Sequence, residues 1–193
     1  FEQITGLTEA RNGLESLAES GSKLFIPRDS RSFAEAALRQ LESLFGSPLD
    51  AVFCGPLAGG GCEGDPEASG ILAATGAHAA LAGEGFDGLV QFPLVSLLRK
   101  ARAAQAHVFG EGATCLYLGR AHGKEALVCL QHPGGEIRPL VRQLIEILCS
   151  NLRVGFENVV LFERLHFYAY YDPLTRLPNR TRFLDRMDEG LAG

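Results

Sequence analysis

The hydrophobic positions of this chain change period along its length, and the order of those changes predicts most of the architecture. Between Gln3 and Phe25 the apolar residues Ile4, Leu7, Leu14, Leu17, Ala18 and Leu24 recur at helical intervals, with Glu9, Arg11, Glu15 and Glu19 between them. This is an amphipathic helix with one face to bury. Gly6, Gly13 and Gly21 weaken it relative to alanine, so it needs a packing partner, and Pro27 ends it. Ser32 followed by Glu35 has capping-box spacing and opens a helix through Phe45, whose Phe33, Ala37, Leu38, Leu41 and Leu44 share a face. Gly46, Ser47 and Pro48 stop that helix. Ala51 to Cys54 reads as a short strand, Gly55 to Ser69 as a loop, and Gly70 to Thr75 as a strand paired with the first. Gly76 to Gly88, rich in alanine and glycine, matches neither period. Pro93 to Ala104 carries Leu94, Leu97, Leu98 and Ala101 in helical register. Strands then follow at Val108-Phe109, Ala113 to Leu118 and Glu125 to Gln131, the last two joined by a Gly119 to Lys124 turn.

From Pro139 to Tyr171 there is no further proline before Pro173, and Gly155 alone interrupts a helical pattern. Such a helix spans about 50 Å, longer than the roughly 40 Å width of a compact domain of this size, so its far end is expected to project. Leu140, Leu144, Ile147, Asn151, Val154, Asn158, Leu161, Leu165 and Tyr168 repeat at alternating spacings of four and three, the seam of a coiled coil. Val141, Ile145, Leu148, Leu152, Phe156, Val159 and Phe162 form a second apolar face that can lie on a sheet. A helix buried wholly within its own domain is the competing reading. Asn151 and Asn158, one heptad apart on the seam, favour a partner helix, since seam asparagines lower stability but fix register and strand number. The expectation is a parallel homodimer through this helix and the N-terminal one.

The order of elements predicts the α+β class, an antiparallel sheet with helices to one side. The domain plan is an N-terminal helix over 1–26, a core over 27–137, a connector helix over 138–171 and a separate segment over 172–193. With 193 residues, 46% of them hydrophobic, the chain can bury a core, and a net charge of −5 argues against a nucleic-acid surface. The basic cluster Arg99, Lys100 and Arg102 reads as a solvated helix face. No apolar run is long enough to span a membrane, and the first residues lack a signal-peptide pattern. Cys54, Cys62, Cys115, Cys129 and Cys149 are odd in number and form no Cys-x-x-Cys pair, as expected of free thiols in a reducing cytoplasm, with Cys115 and Cys129 as small buried hydrophobes. The five histidines, His78, His107, His122, His132 and His166, form no ligand-spaced pair, so no metal or haem is expected. Ser150, Asp87 or Cys54 would need a neighbouring base to act as a catalytic group, and the pattern offers none. Because Phe1 is not a methionine and Met187 is the one methionine, the segment is expected to be part of a longer protein.

The most specific stretch is Tyr171 to Arg180. Pro173 disfavours helix at Asp172, Asp172 and Thr175 are suited to bonding nearby backbone groups in a turn, and Pro178-Asn179 precedes a new helical pattern of Phe183, Leu184, Met187 and Leu191. Asp172, Leu174, Thr175, Leu177, Asn179 and Arg180 together give Asp-x-Leu-Thr-x-Leu-x-Asn-Arg, which closely resembles the opening of the GGDEF domain of bacterial diguanylate cyclases. Arg176 stands where that family most often has glycine. The resemblance implies that these residues form the turn joining a cyclase domain to the helix arriving from its regulator, and that catalysis, with GTP and Mg, belongs to residues further on. No catalytic residue and no cofactor is therefore expected in this segment; Gly59-Gly60-Gly61 lies in the wrong context to substitute for the catalytic loop.

Upstream, Gly13-Leu14-Glu15, the block Cys149 to Asn158 and the order of domains resemble the GAF-like domain that follows a receiver domain in certain bacterial response regulators. That implies a regulatory, dimerising transmitter module for a cyclic di-GMP output, covalently linked to that output and to an upstream receiver. A small-molecule sensor, with a pocket between the sheet and the Gly76 to Ala104 segment, is the alternative.

Overall fold

The structure, a computed structural model, describes residues 29–56, 69–85, 94–132, 135, 137–175 and 177–191. The expected helix over Gln3 to Phe25 and most of the Gly55 to Ser69 loop lie outside them. The elements are α1 (Ser30–Phe45), β1 (Asp50–Pro56), β2 (Ser69–Thr75), a 3₁₀ turn (Gly76–Leu81), α2 (Val95–Ala104), β3 (Val108–Gly110), β4 (Ala113–Ala121), β5 (Lys124–Gln131), α3 (Pro139–Tyr170) and α4 (Arg180–Leu191). The five strands form one antiparallel sheet in the order β2-β1-β5-β4-β3. The protein is of the α+β class, as the order of periodicities predicts.

Alternation along the strands divides two apolar layers. Ala51 and Phe53 of β1 face α1 and α3, in a cluster with Phe33, Leu38, Leu41, Leu116, Leu118, Ile145, Leu152 and Phe156. Val52 and Cys54 face the other way, with Ile71, Leu98, Ala101, Leu127 and Cys129. The two longest helices thus share one side of the sheet, whereas α2 covers the opposite side. The expectation of helices to one side holds for α1 and α3 and fails for α2, because the central strands are apolar on both faces and need two covers.

Three local expectations are corrected. Asp29, rather than Ser32, caps α1: its carboxylate accepts from Ser32 N at 2.8 Å and from Ser32 Oγ at 2.7 Å, so the cap lies three residues before Ser32. The β4–β5 turn is two residues long. His122 and Gly123 both have positive φ, 50° and 82°, as a type I′ hairpin requires, and Gly119 belongs to a bulge within β4. Finally, Cys115 and Cys129 are joined in a disulfide. They are register partners across β4 and β5 with Cα atoms 4.2 Å apart, the spacing of a pair with no direct ladder bonds between them. The alternation that makes each read as a buried hydrophobe also sets them side by side. Cys54 and Cys149 are free and buried.

Candidate signalling helix and exit turn

Helix α3 starts with Pro139 at its first position, where the missing N–H has no intrahelical role. It runs 32 residues, or about 48 Å. Its inward face, Ile145, Leu148, Cys149, Leu152, Phe156, Val159 and Val160, is buried against α1 and the sheet. Gly155 is what allows that fit, since a Cβ there would lie 2.7 Å from the ring of Phe33. Phe33 is fully buried, edge-on to Phe53 at 5.9 Å and 6.3 Å from Phe156.

The outward face carries the predicted seam. Ile147, Val154, Leu161 and Leu165 are exposed, Leu165 at 60%, and so are Leu140 and Tyr168. Asn151 and Asn158 are exposed among them. Leu144 departs from the expected seam: at 7% exposure it is buried by its own domain, so the free stripe begins effectively at Ile147. Phe162, assigned to the inward face, is instead 42% exposed. The intrahelical pairs Arg142–Glu146 and Arg153–Glu157, at 3.5 and 3.2 Å, leave the stripe itself uncharged.

Two side chains near the far end of α3 tie it to the body of the domain. Glu163 accepts from Ser30 N at 2.8 Å and pairs with Lys124 at 3.3 Å; Arg164 Nη1 lies 2.6 Å from His122 Nδ1. Residues 165–169 are exposed. Sequence pattern does not reveal these ties, because Glu163 and Ser30 are 133 positions apart and neither belongs to an apolar period.

The exit turn is a closed set of hydrogen bonds. Asp172 Oδ1 accepts from Leu174 N, Thr175 N and Thr175 Oγ1 at 3.1, 2.8 and 2.9 Å. These bonds, first those from Thr175, hold the Asp172 carboxyl below its ordinary value. Asp172 N donates to the Leu177 carbonyl, and Tyr171 bridges Pro178. Asn179 serves both helices: its side-chain oxygen accepts from Arg182 N at 3.0 Å, while its Nδ2 donates to the Ala169 carbonyl at 2.8 Å. Arg182 lies over the Tyr170 ring, 5.4 Å from its centre. Of the motif residues, the turn therefore brings together Asp172, Thr175 and Asn179. Leu174 and Leu177 are exposed, and Arg180 is the exposed first residue of α4. Leu174, Leu177, Phe183, Leu184 and Met187 make this end of the molecule markedly apolar.

The remaining candidates are placed as follows. Ser150 Oγ donates to the Glu146 carbonyl one turn back, burial pushes the Cys54 thiol up to about 12, and Asp87 lies outside the described residues. His107 Nδ1 accepts from Tyr117 N at 3.1 Å, and His132 sits 3.3 Å from Thr114 Oγ1. Among the described residues no group of three or more His, Cys, Asp or Glu side chains is arranged to hold a metal ion. Among them, too, no helix is long and apolar enough to cross a membrane.

Fold and site together define an α+β domain that delivers a long helix, with one apolar face left exposed by the described residues, into a capped turn. Residues 1–165 match the family described as a domain of unknown function, DUF3369, and the chain belongs to that family. The match ends one residue after Arg164, where α3 leaves the body of the domain. No curated protein matches the sequence.

Proposed function

We propose that this segment is a regulatory, dimerising transmitter of a bacterial response regulator. Its GAF-like domain sets the position of α3, and α3 delivers that position to a GGDEF diguanylate cyclase domain that begins at Asp172. GTP and Mg are used by the output domain and not by this segment, and an upstream receiver supplies the input. The observation that carries the reading is the continuity of the outward stripe of α3 from Ile147 to Tyr168 with a turn whose motif resembles the cyclase opening. Condensing two GTP molecules requires two loaded domains to face each other, so a helix pair that fixes their relative orientation is a sufficient switch. The occupant of the stripe is a second α3. Asn151 and Asn158 fall at equivalent positions of successive heptads, as in parallel two-stranded coils. Multi-angle light scattering tests this: the chain is expected to elute at twice its 20.7 kDa mass at micromolar concentration. A monomer, both for the parent and for Asn151→Leu, sinks the reading.

A further inference from the structure

The start of α1 and the far end of α3 meet at one carboxylate. Ser30 is the first residue of α1, and its N–H is one of the donors that a helix start leaves without an intrahelical partner. Glu163, near the end of α3, supplies that partner at 2.8 Å through Oε1 and holds Lys124 at 3.3 Å through Oε2. Arg164 reaches His122 in the same hairpin tip, and His122 and Lys124 flank Gly123. Asp29 caps the same start of α1, and an open recess lined by Asp29, Phe162, Glu163 and His166 lies alongside. Three structural units, the start of α1, the β4–β5 tip and the exit of α3, therefore meet at Glu163.

We infer that this junction couples the start of α1 directly to the outgoing helix. A shift at Asp29 moves the exit of α3 through Ser30 and Glu163. This rests on the reading of α3 as a transmitter and names how it is regulated. The apolar contact between the two helices, with Phe33 against Gly155 and Phe156 at its centre, is closely packed and buried, and such contacts do not shift gradually. The Glu163 side chain is 29% exposed, so water can replace either of its partners and the junction can open. Because one carboxylate serves two donors, loss of one arm loosens the other.

Hydrogen exchange on the whole chain, followed by mass spectrometry, tests the coupling as a double-mutant cycle. Ser30→Pro removes the N–H together with the buried Ser30 hydroxyl, while proline suits the first helical position and Asp29 already has the extended conformation, φ −139° and ψ 153°, that precedes proline. Amides of residues 161–170 are expected to exchange about fivefold faster or more in Ser30→Pro, and Ser30→Pro should add nothing in a Glu163→Ala background. Asp29→Ala, a second perturbation of the same helix start, should give the same pattern, with amides of β5 unchanged as the check that the domain is folded. The inference fails if neither perturbation reaches residues 161–170, or if the response is as large with Glu163→Ala as without it. Light scattering on the same samples separates the two readings. A monomer with the cycle intact overturns the dimeric transmitter and upholds the junction, whereas a dimer with no response does the opposite.

Discussion

At the scale of single residues, Gly155 has the clearest consequence. An alanine there gains about 1 kcal/mol of helix propensity, but its Cβ would press on the Phe33 ring, which is held between Phe53 and Phe156 and has no free end to move. Overpacking of this kind costs about 1–3 kcal/mol, so Gly155→Ala should lower the urea midpoint despite the propensity gain, and Phe33→Leu should reverse part of the loss. An unchanged or higher midpoint for Gly155→Ala would show that the two helices are not in contact there. Two imidazoles, the half-buried His107 and the buried His132, give a second expectation. Burial lowers the pKa of both His107 and His132 below the ordinary 6.5, and the His107 Nδ1 that accepts from Tyr117 must be unprotonated to do so. As pH falls through 6.5 the unfolded chain takes up protons before the folded one, so stability is complete above that value and declines below it. The melting temperature should be lower at about pH 5.5 than at about pH 7.5, and the difference should shrink in His107→Gln/His132→Gln. Asp29 and Asp172, both lowered from 3.8, contribute stability that is lost only below that pH, so the two effects occupy separate windows.

At the scale of elements, α3 has two apolar faces with different tasks, and substitutions should separate them. Phe156→Ala on the inward face is expected to cost about 3–5 kcal/mol of unfolding free energy, seen as a large drop in denaturant midpoint. Leu165→Glu on the outward face should leave the monomer's midpoint within about 0.5 kcal/mol while shifting the light-scattering mass toward monomer; equal effects of the two on folding would mean that the outward face is not free. The length of α3, its two faces and the break at Asp172 were legible in the sequence because period, proline and turn chemistry are local signals. Sheet order was not, since pairing β1 with β5 is a contact between distant segments. The same limit hid the burial of Leu144, which shares the outward heptad with Ile147 yet is covered by other parts of its domain. It also hid the disulfide: Cys115 and Cys129 each fit an apolar strand, and only the β4–β5 register sets them opposite each other. Within the exit turn, the bonds of Asp172 and Thr175 followed from their neighbours, whereas the reach of Asn179 back to Ala169 depends on how two helices cross.

At the scale of the whole molecule, the bonds across the exit turn decide what a helix can transmit. Asn179 ties the last turn of α3 to the first turn of α4, and Asp172 closes the loop between them, so a rotation of α3 about its axis is carried into α4 and is not absorbed by the loop. On the proposed reading, a downstream domain built on α4 would have an orientation fixed by the heptad phase of α3. Residues added to the exposed part of α3, after Leu165, alter that phase in a calculable way: seven restore it, with an advance of about 10.5 Å along the axis, whereas four leave the seam out of step by about half a heptad. With residues 1–171 fused in frame to an active GGDEF domain in place of its own regulator, the seven-residue insertion should retain dimerisation and most cyclic di-GMP synthesis. The four-residue insertion should retain the dimer through the seam up to Leu165 and change synthesis severalfold, in either direction. Equal synthesis from both would mean that α3 only holds two output domains near each other; a change that depends on phase would mean that its rotation is the signal they read.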